Sequence, residues 1–278
     1  MSNTLQAIYR VAHDGNQKLL KVYKSKNRAN AMGDALEEYI KDAFSGSTPG
    51  SNKAIASKLH SECFSYIGNQ NNPPDFILKD GDAIEVKKVE GFKSALALNS
   101  SYPKSKLHVD DCRISNACRG CEDWSEKDII YVVGCVPNNE LKMLYVVYGD
   151  CYAADRETYE GIRKTVRDSL TGEGIETENT NELAKVRKVD PLGITSLRVR
   201  GMWHIENPSR VFDYLYEIDR DKKFQLVCIM RKEKWDVFSS NDRKKIEEGK
   251  DFAVRDLKAK SPNNPAQFID IKLITFSK

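Results

Sequence analysis

The sequence predicts an α/β or α+β fold, a mixed sheet flanked by helices. Three observations carry that prediction. Helical periodicity dominates the first 64 residues, near-continuous apolar runs follow at 128–136 and 141–149, and helices then alternate with strands toward the C-terminus. Apolar residues make up 40% of the 278 and charged residues 31%, the balance of an ordered, soluble chain. Lys and Arg total 44 against 41 Asp and Glu, a formal net charge of +3. A basic coat over the whole chain is therefore excluded, and any anion-binding surface must be local. No linker or internal repeat stands out, so one elaborated domain over 1–278 is expected.

The elements follow in order. Leu5, Ile8, Tyr9 and Ala12 share one face of a short helix at 4–12. A clearer helix runs over about 29–44, with Met32, Leu36, Tyr39 and Ala43 as its apolar stripe and Gly46 past its end. Residues 52–64 continue in helical register until GNQNNPPD stops them, since two prolines cannot extend a helix. FILKDGDAIEVKKV reads as a hairpin around Asp80-Gly81. Residues 92–122 are polar and irregular. The runs at 128–136 and 141–149 read as strands covered on both faces. Asp155 can cap a helix over 156–170 that Gly172 ends, and 171–190 reads as a mobile loop. Strands are expected at 195–205, 224–230 and 267–276, with helices from Asn207-Pro208 to about 218 and over 240–249.

The chemistry concentrates in the hairpin. Alternation puts Ile84 and Val86 on one strand face and Glu85 and Lys87 on the other. A three-residue connection, Lys79-Asp80-Gly81 with Gly81 left-handed, would pair Asp75 with Glu85. Two carboxylates and one lysine would then converge. A two-residue turn would send Asp75 to the opposite face; the first register is preferred. Paired carboxylates repel, and a divalent cation such as Mg²⁺ relieves that. Such a cation activates water and stabilises charge on a phosphate, while the lysine orients or deprotonates the water or neutralises charge. The constellation suits phosphodiester hydrolysis. On the upstream helix Glu37 lies on the flank with Gly33, Ile40 and Phe44, so it rather than Glu38 can assist the attacking water.

At these residues the chain resembles the PD-(D/E)xK nucleases, whose motif stands here as Pro74-Asp75 and Glu85-Val86-Lys87. More closely, it resembles the NgoPII family of type II restriction endonucleases, which recognise GGCC. GDALEEYI (33–40), NPPDFILKDGDAIEVKK (72–88), LNSSYPKSKL (98–107) and ACRGCEDW (117–124) carry that likeness. The resemblance implies a restriction-endonuclease-like fold with its catalytic core at about 25–150 and recognition and dimerisation elements at 151–278. It further implies Asp75 and Glu85 as Mg²⁺ ligands, Lys87 as the catalytic lysine, and a homodimer cutting both strands of double-stranded DNA at a palindrome. A DNA methyltransferase of the same specificity is the implied functional partner. Two rival readings are a repair or junction-resolving nuclease with the same chemistry and a non-enzymatic, zinc-stabilised DNA-binding module.

Other groups have weaker patterns. His108, Cys112, Cys118 and Cys121 place four potential Zn²⁺ ligands within 14 residues, so a structural Zn²⁺ site is an expectation to test. Asn99, Ser100, Ser101, Tyr102, Lys104 and Lys106 offer amides, hydroxyls and ammoniums for DNA phosphates and base edges. Arg198 and Arg200 share a strand face and suit guanine. Arg163, Lys164, Arg167, Lys185, Arg187 and Lys188 are further phosphate candidates. Seven cysteines, an odd number, read as reduced thiols. MSNTLQAIYR lacks an apolar leader core and no apolar run reaches 18 residues, so a cytoplasmic location is expected.

Overall fold

Strand β7 (Met143–Tyr148, MLYVVY) is buried at every residue, which only a sheet covered on both faces allows. It lies near the middle of a nine-stranded mixed sheet ordered β1-β2-β3-β6-β7-β11-β13-β12, with β5 paired to the start of β6. These strands are β1 (Phe64–Asn69), β2 (Asn72–Leu78), β3 (Ala83–Val89), β5 (Lys106–His108), β6 (Glu126–Cys135), β11 (Gln225–Arg231), β12 (Phe252–Lys260) and β13 (Phe268–Ser277). β3 runs parallel to β6 and β7 parallel to β11; the other pairings are antiparallel. The computed structural model describes residues 2–14, 18–19, 31–48, 52–69, 72–99 and 101–278.

Alternation divides the core between the two faces. Ile84, Ile130, Val132, Leu144, Val146 and Cys228 meet helices α1 (Thr4–His13) and α2 (Ala31–Ser45). Ile129, Tyr131, Val133, Tyr145, Val147 and Ile229 face the other way, toward Leu96, Leu107, Cys118, Tyr152 and Phe212. Asn3 caps α1 by accepting the Gln6 N–H, and Leu5, Ile8 and Ala12 are buried as the periodicity predicts. Met32, Leu36, Tyr39 and Ala43 of α2 are likewise buried; positions 29 and 30 of the expected helix lie outside the described residues. Helix α3 (Lys53–Cys63), capped by Asn52, leads directly into β1, which the helical reading of 52–64 did not anticipate.

The region 92–122 is less irregular than its composition indicates. It contains β4 (Leu96–Asn99), β5 and the four-residue helix α4 (Asn116–Arg119). The helix expected over 156–170 is α6 (Arg156–Gly172), and a four-residue helix, α5 (Gly149–Tyr152), precedes it. Asp155 stands at the start of α6 but makes no cap; its carboxylate accepts the Asn263 amide at 2.8 Å. Within 171–190 there is a strand, β8 (Ala184–Val186), paired with β9 (Leu197–Val199). The single strand expected at 195–205 is therefore two, because Gly201 separates β9 from β10 (Trp203–Ile205), and β10 pairs with β4 instead. Asn207 caps a helix as expected, but α7 (Pro208–Val211) lasts only four residues. Helix α9 (Ser240–Glu247) matches its expectation, while α8 (Lys232–Val237) and β12 had no clear signal. All seven cysteines are free thiols, with Cys118, Cys135, Cys151 and Cys228 buried. No helix among the described residues is long and apolar enough to cross a membrane.

Candidate active site

The hairpin turn sets the site. Leu78 N–H donates to the Asp82 carbonyl at 3.0 Å, Ile77 pairs with Ala83, and Phe76 with Ile84. The connection is thus the three-residue Lys79-Asp80-Gly81, and Asp75 stands across from Glu85. The left-handed residue is Asp80 (φ 52°) rather than Gly81. Aspartate tolerates that region, and Glu122 Oε1 holds its N–H at 2.8 Å. Gly81 serves packing instead, since a Cβ there would lie 3.0 Å from the Leu78 Cβ.

Phe76 and Ile84 are fully buried beneath α2, which fixes the opposite strand face as the one carrying charge. The Val86 N–H donates to Asp75 Oδ2 at 2.6 Å, so the carboxylate stitches the two strands together. Lys87 Nζ lies 2.6 Å from Glu85 Oε1. The other oxygen of Glu85, Oε2, is buried without a donor. Burial and then the charge of Glu85 hold the Asp75 pKa well above the ordinary carboxylate value, with Glu37 adding to the effect. Burial pulls the Lys87 pKa down, but Glu85 and Asp75 outweigh it and raise it. Lys87 is therefore a persistent cation.

Glu37 of α2 bears on the site through its charge, which adds to the raised pKa of both Asp75 and Lys87. It is half-buried, 2.9 Å from Lys41 Nζ, whereas Glu38 is more exposed on the same lysine. α2 can press this close because β6 carries Gly134 beneath it; a Cβ there would meet Leu36 Cδ2 at 2.6 Å. Two repelling carboxylates, with one Glu85 oxygen buried and lacking any donor, offer a pair of hard oxygen donors. That set fits a divalent cation of the Mg²⁺ kind.

The expected zinc site is not formed. Among the described residues no three or more His, Cys, Asp or Glu side chains are arranged to hold a metal. Cys118 is buried in the core, and burial, then neighbouring Cys121, pushes its thiol up to about 12, which keeps it protonated. Cys112 instead accepts from Arg163 Nη1 at 3.1 Å, and His108 sits 3.6 Å from Glu126. The zinc-stabilised module loses its structural basis.

The polar loop after β3 is turned further inward than its composition indicates. Lys104 is buried, 2.5 Å from Asp111 and 4.1 Å over the Tyr102 ring. Tyr102 stacks on Tyr159 and donates to Glu160, Ser101 is buried, and Lys106 is paired with Asp128. Asn99 closes β4 opposite Trp203, and Ser100 lies outside the described residues. Arg198 and Arg200 both reach Glu182, at 2.8 and 2.7 Å, far along the chain from the hairpin.

Sequence reasoning missed a polar network at the base of the site. Lys234 Nζ lies 2.6 Å from Asp82 Oδ1 and 2.7 Å from Asp128 Oδ2, and Tyr148 donates to Asp82 Oδ2 at 2.8 Å. Asp82 precedes β3 by one residue and Asp128 opens the buried part of β6, so the network anchors both central strands. An aspartate inside a turn gives no sign that it will be buried.

The chain matches the NgoPII restriction endonuclease family over residues 2–260. It is 47% identical over 276 residues to "Type II restriction enzyme NgoPII" from Neisseria gonorrhoeae, covering 99% of each chain. No solved structure matches.

Proposed function

The chain belongs to the NgoPII restriction endonuclease family, and from that premise we propose that Asp75, Glu85 and Lys87 form its phosphodiester-cleaving centre, with Glu37 assisting. Membership makes the chain a type II, site-specific endonuclease acting on DNA. The observation that carries the residue assignment is the convergence of the two carboxylates and the lysine, with Glu85 Oε2 buried and lacking a donor. Asp75 and Glu85 would hold Mg²⁺, which when bound supplies activation of water and neutralisation of phosphate charge.

The protein's own groups have separate tasks. Asp75 is locked by the Val86 N–H, so its free oxygen keeps a fixed direction. Lys87 remains protonated beside Glu85, which suits it to stabilise negative charge building on the scissile phosphate rather than to remove a proton. Glu37, held by Lys41, orients the attacking water from the helix side. Recognition of GGCC is the specificity the family resemblance implies. Cutting both strands of a palindrome calls for two centres related by a two-fold axis, hence a homodimer. We read 1–278 as one unit, with the core at about 25–150 and the remainder serving recognition and dimerisation. A methyltransferase of matching specificity and a cytoplasmic location complete this reading.

Digestion of a sequenced plasmid with purified protein and Mg²⁺ tests it. Discrete bands mapping to GGCC are expected, and Asp75→Ala, Glu85→Ala and Lys87→Ala should each abolish them while the protein stays folded. Robust cleavage at neutral pH by Lys87→Ala would remove the lysine from the centre. A smear in place of bands would remove the specificity.

A further inference from the structure

We propose that the β8–β9 hairpin is a DNA-entering arm, whose outward face of Lys185, Arg187, Arg198 and Arg200 exchanges the carboxylates of Glu178 and Glu182 for a groove of the substrate duplex. The inference rests on the reading above in taking DNA as the substrate and GGCC as the recognised sequence.

The ladder pairs Ala184 with Val199, Lys185 with Arg198 and Val186 with Leu197. Lys185 and Arg198 thus stand directly opposite on one face, and the next positions on that face belong to Arg187 and Arg200. Like charges facing each other across a two-stranded ribbon are destabilising. They are held by two glutamates: Glu178 lies 3.0 Å from Lys185 and 2.7 Å from Arg187, and Glu182 takes Arg198 and Arg200. The opposite face, with Ala184 and Val186 buried, packs onto the protein. The arginines remain open to solvent despite their partners: the side chains of Arg187, Arg198 and Arg200 are 61%, 56% and 62% exposed. Segment 182–201 carries five basic residues against Glu182 and Asp190, in a chain whose charges otherwise nearly balance.

The tip adds a second, independent feature. Val189, Leu192 and Ile194 are 55%, 82% and 80% exposed. They project from an ordered turn: Asp190 Oδ2 accepts the Thr195 N–H at 2.6 Å, and the Gly193 N–H reaches the Asp190 carbonyl at 2.8 Å. Bare aliphatic side chains held out between basic strands suit a surface that is anionic at its rim and apolar inside. A DNA groove has that character: phosphates line its edges, and base edges and thymine methyls line its floor. A second copy of this chain does not, since two such faces would repel. A two-stranded ribbon also fits the width of a major groove.

The arm is tied to the catalytic hairpin. β9 runs on into β10, and β10 pairs with β4, the strand that follows β3. The arm is thus joined to the strand that follows Glu85 and Lys87 through one short ribbon. Glu178 and Glu182 then act as positioning residues. They hold the guanidiniums extended, and a duplex must displace them; a site offering the full set of acceptors does so and a random sequence does not.

The test is duplex binding by the full chain with Ca²⁺ in place of Mg²⁺, measured by fluorescence anisotropy against salt on a GGCC duplex and a scrambled one. Arg198→Ala with Arg200→Ala should weaken GGCC binding about ten- to hundredfold. For arginines that also touch phosphates the salt slope should fall by about one for each phosphate left without its guanidinium. Leu192→Ser with Ile194→Ser should weaken GGCC binding with the slope kept. Glu182→Gln should tighten binding to the scrambled duplex several-fold, an effect a purely structural glutamate would not produce, and the thermal midpoints should stay near that of the unmodified protein. Arginine variants with unchanged affinity and slope would overturn the arm. So would tip variants that convert a DNA-free dimer to monomer in sedimentation while the arginine variants bind normally, because the surface would then belong to a second copy. Failure of the unmodified protein to bind any duplex would overturn the arm and the nuclease reading together, which sets it apart from failure of the arm alone.

Discussion

Asp75 and Glu85 occupy a place where the folded chain alone is strained electrostatically. Burial and the nearby Glu85 oppose the charge on Asp75, and Lys87 compensates only in part. Removing one carboxylate should relieve that conflict in the absence of metal. Asp75→Asn keeps an oxygen for the Val86 N–H, so its thermal midpoint without divalent ions should equal or exceed that of the unmodified protein, by about 2–4 °C per kcal/mol relieved. Cleavage should nonetheless be lost. Ca²⁺ should raise the midpoint of the unmodified protein by mass action and leave Asp75→Asn and Glu85→Gln unmoved. A calorimetric scan with and without Ca²⁺ reads all three; an Asp75→Asn protein that melts well below the unmodified one would show that Asp75 is there for stability.

At the scale of elements, the site depends on how closely backbone can approach backbone. Gly68 of β1 leaves room for the carbonyls of Pro74 and Asp75; a Cβ there would lie 2.5 and 3.0 Å from them. A backbone carbonyl cannot rotate away as a side chain can. Gly68→Ala should therefore cost about 1–3 kcal/mol in denaturant titration. It should also lower cleavage by ~100-fold if the Asp75 backbone moves by about 1 Å. A Gly68→Ala protein of full activity would mean β1 yields instead. The alternation Ile84-Glu85-Val86-Lys87 and the preferred three-residue turn were legible in the sequence, because one wrong residue of register would have placed a carboxylate in the core. Helix α2 was legible through its long apolar stripe, Met32, Leu36, Tyr39 and Ala43, all buried. The zinc cluster was misread because spacing along a chain does not report that Cys118 points into a core and Cys112 toward an arginine. The inward turn of Lys104 was likewise hidden, since its partner Asp111 makes no pattern with it.

Across the whole molecule, one lysine joins parts far apart in sequence. Lys234 of α8 binds Asp82 before β3 and Asp128 of β6, and through Tyr148 the network reaches Thr4 of α1. Burial opposes the charge of Lys234, but the two aspartates raise its pKa and keep it charged. Lys234→Met would leave Asp82 without its cation and Asp128 with Lys106 alone, and should cost about 3–5 kcal/mol of global stability. Adding Asp82→Asn should recover part of it; additive losses in the double variant would break the coupling. The distribution of thiols across the sheet has a different consequence. Cys228 lies in the face covered by α1 and α2, whereas Cys118, Cys135 and Cys151 lie in the other, and Cys63, Cys112 and Cys121 are only half-buried. Thiolate is the reactive form, and burial suppresses it at Cys151 and Cys228. An alkylating reagent should consequently label three sites at once and the other four only as the fold opens. Mass spectrometry of the labelled peptides would then time the opening of each face separately, with Cys228 as the clock for one layer and Cys151 for the other.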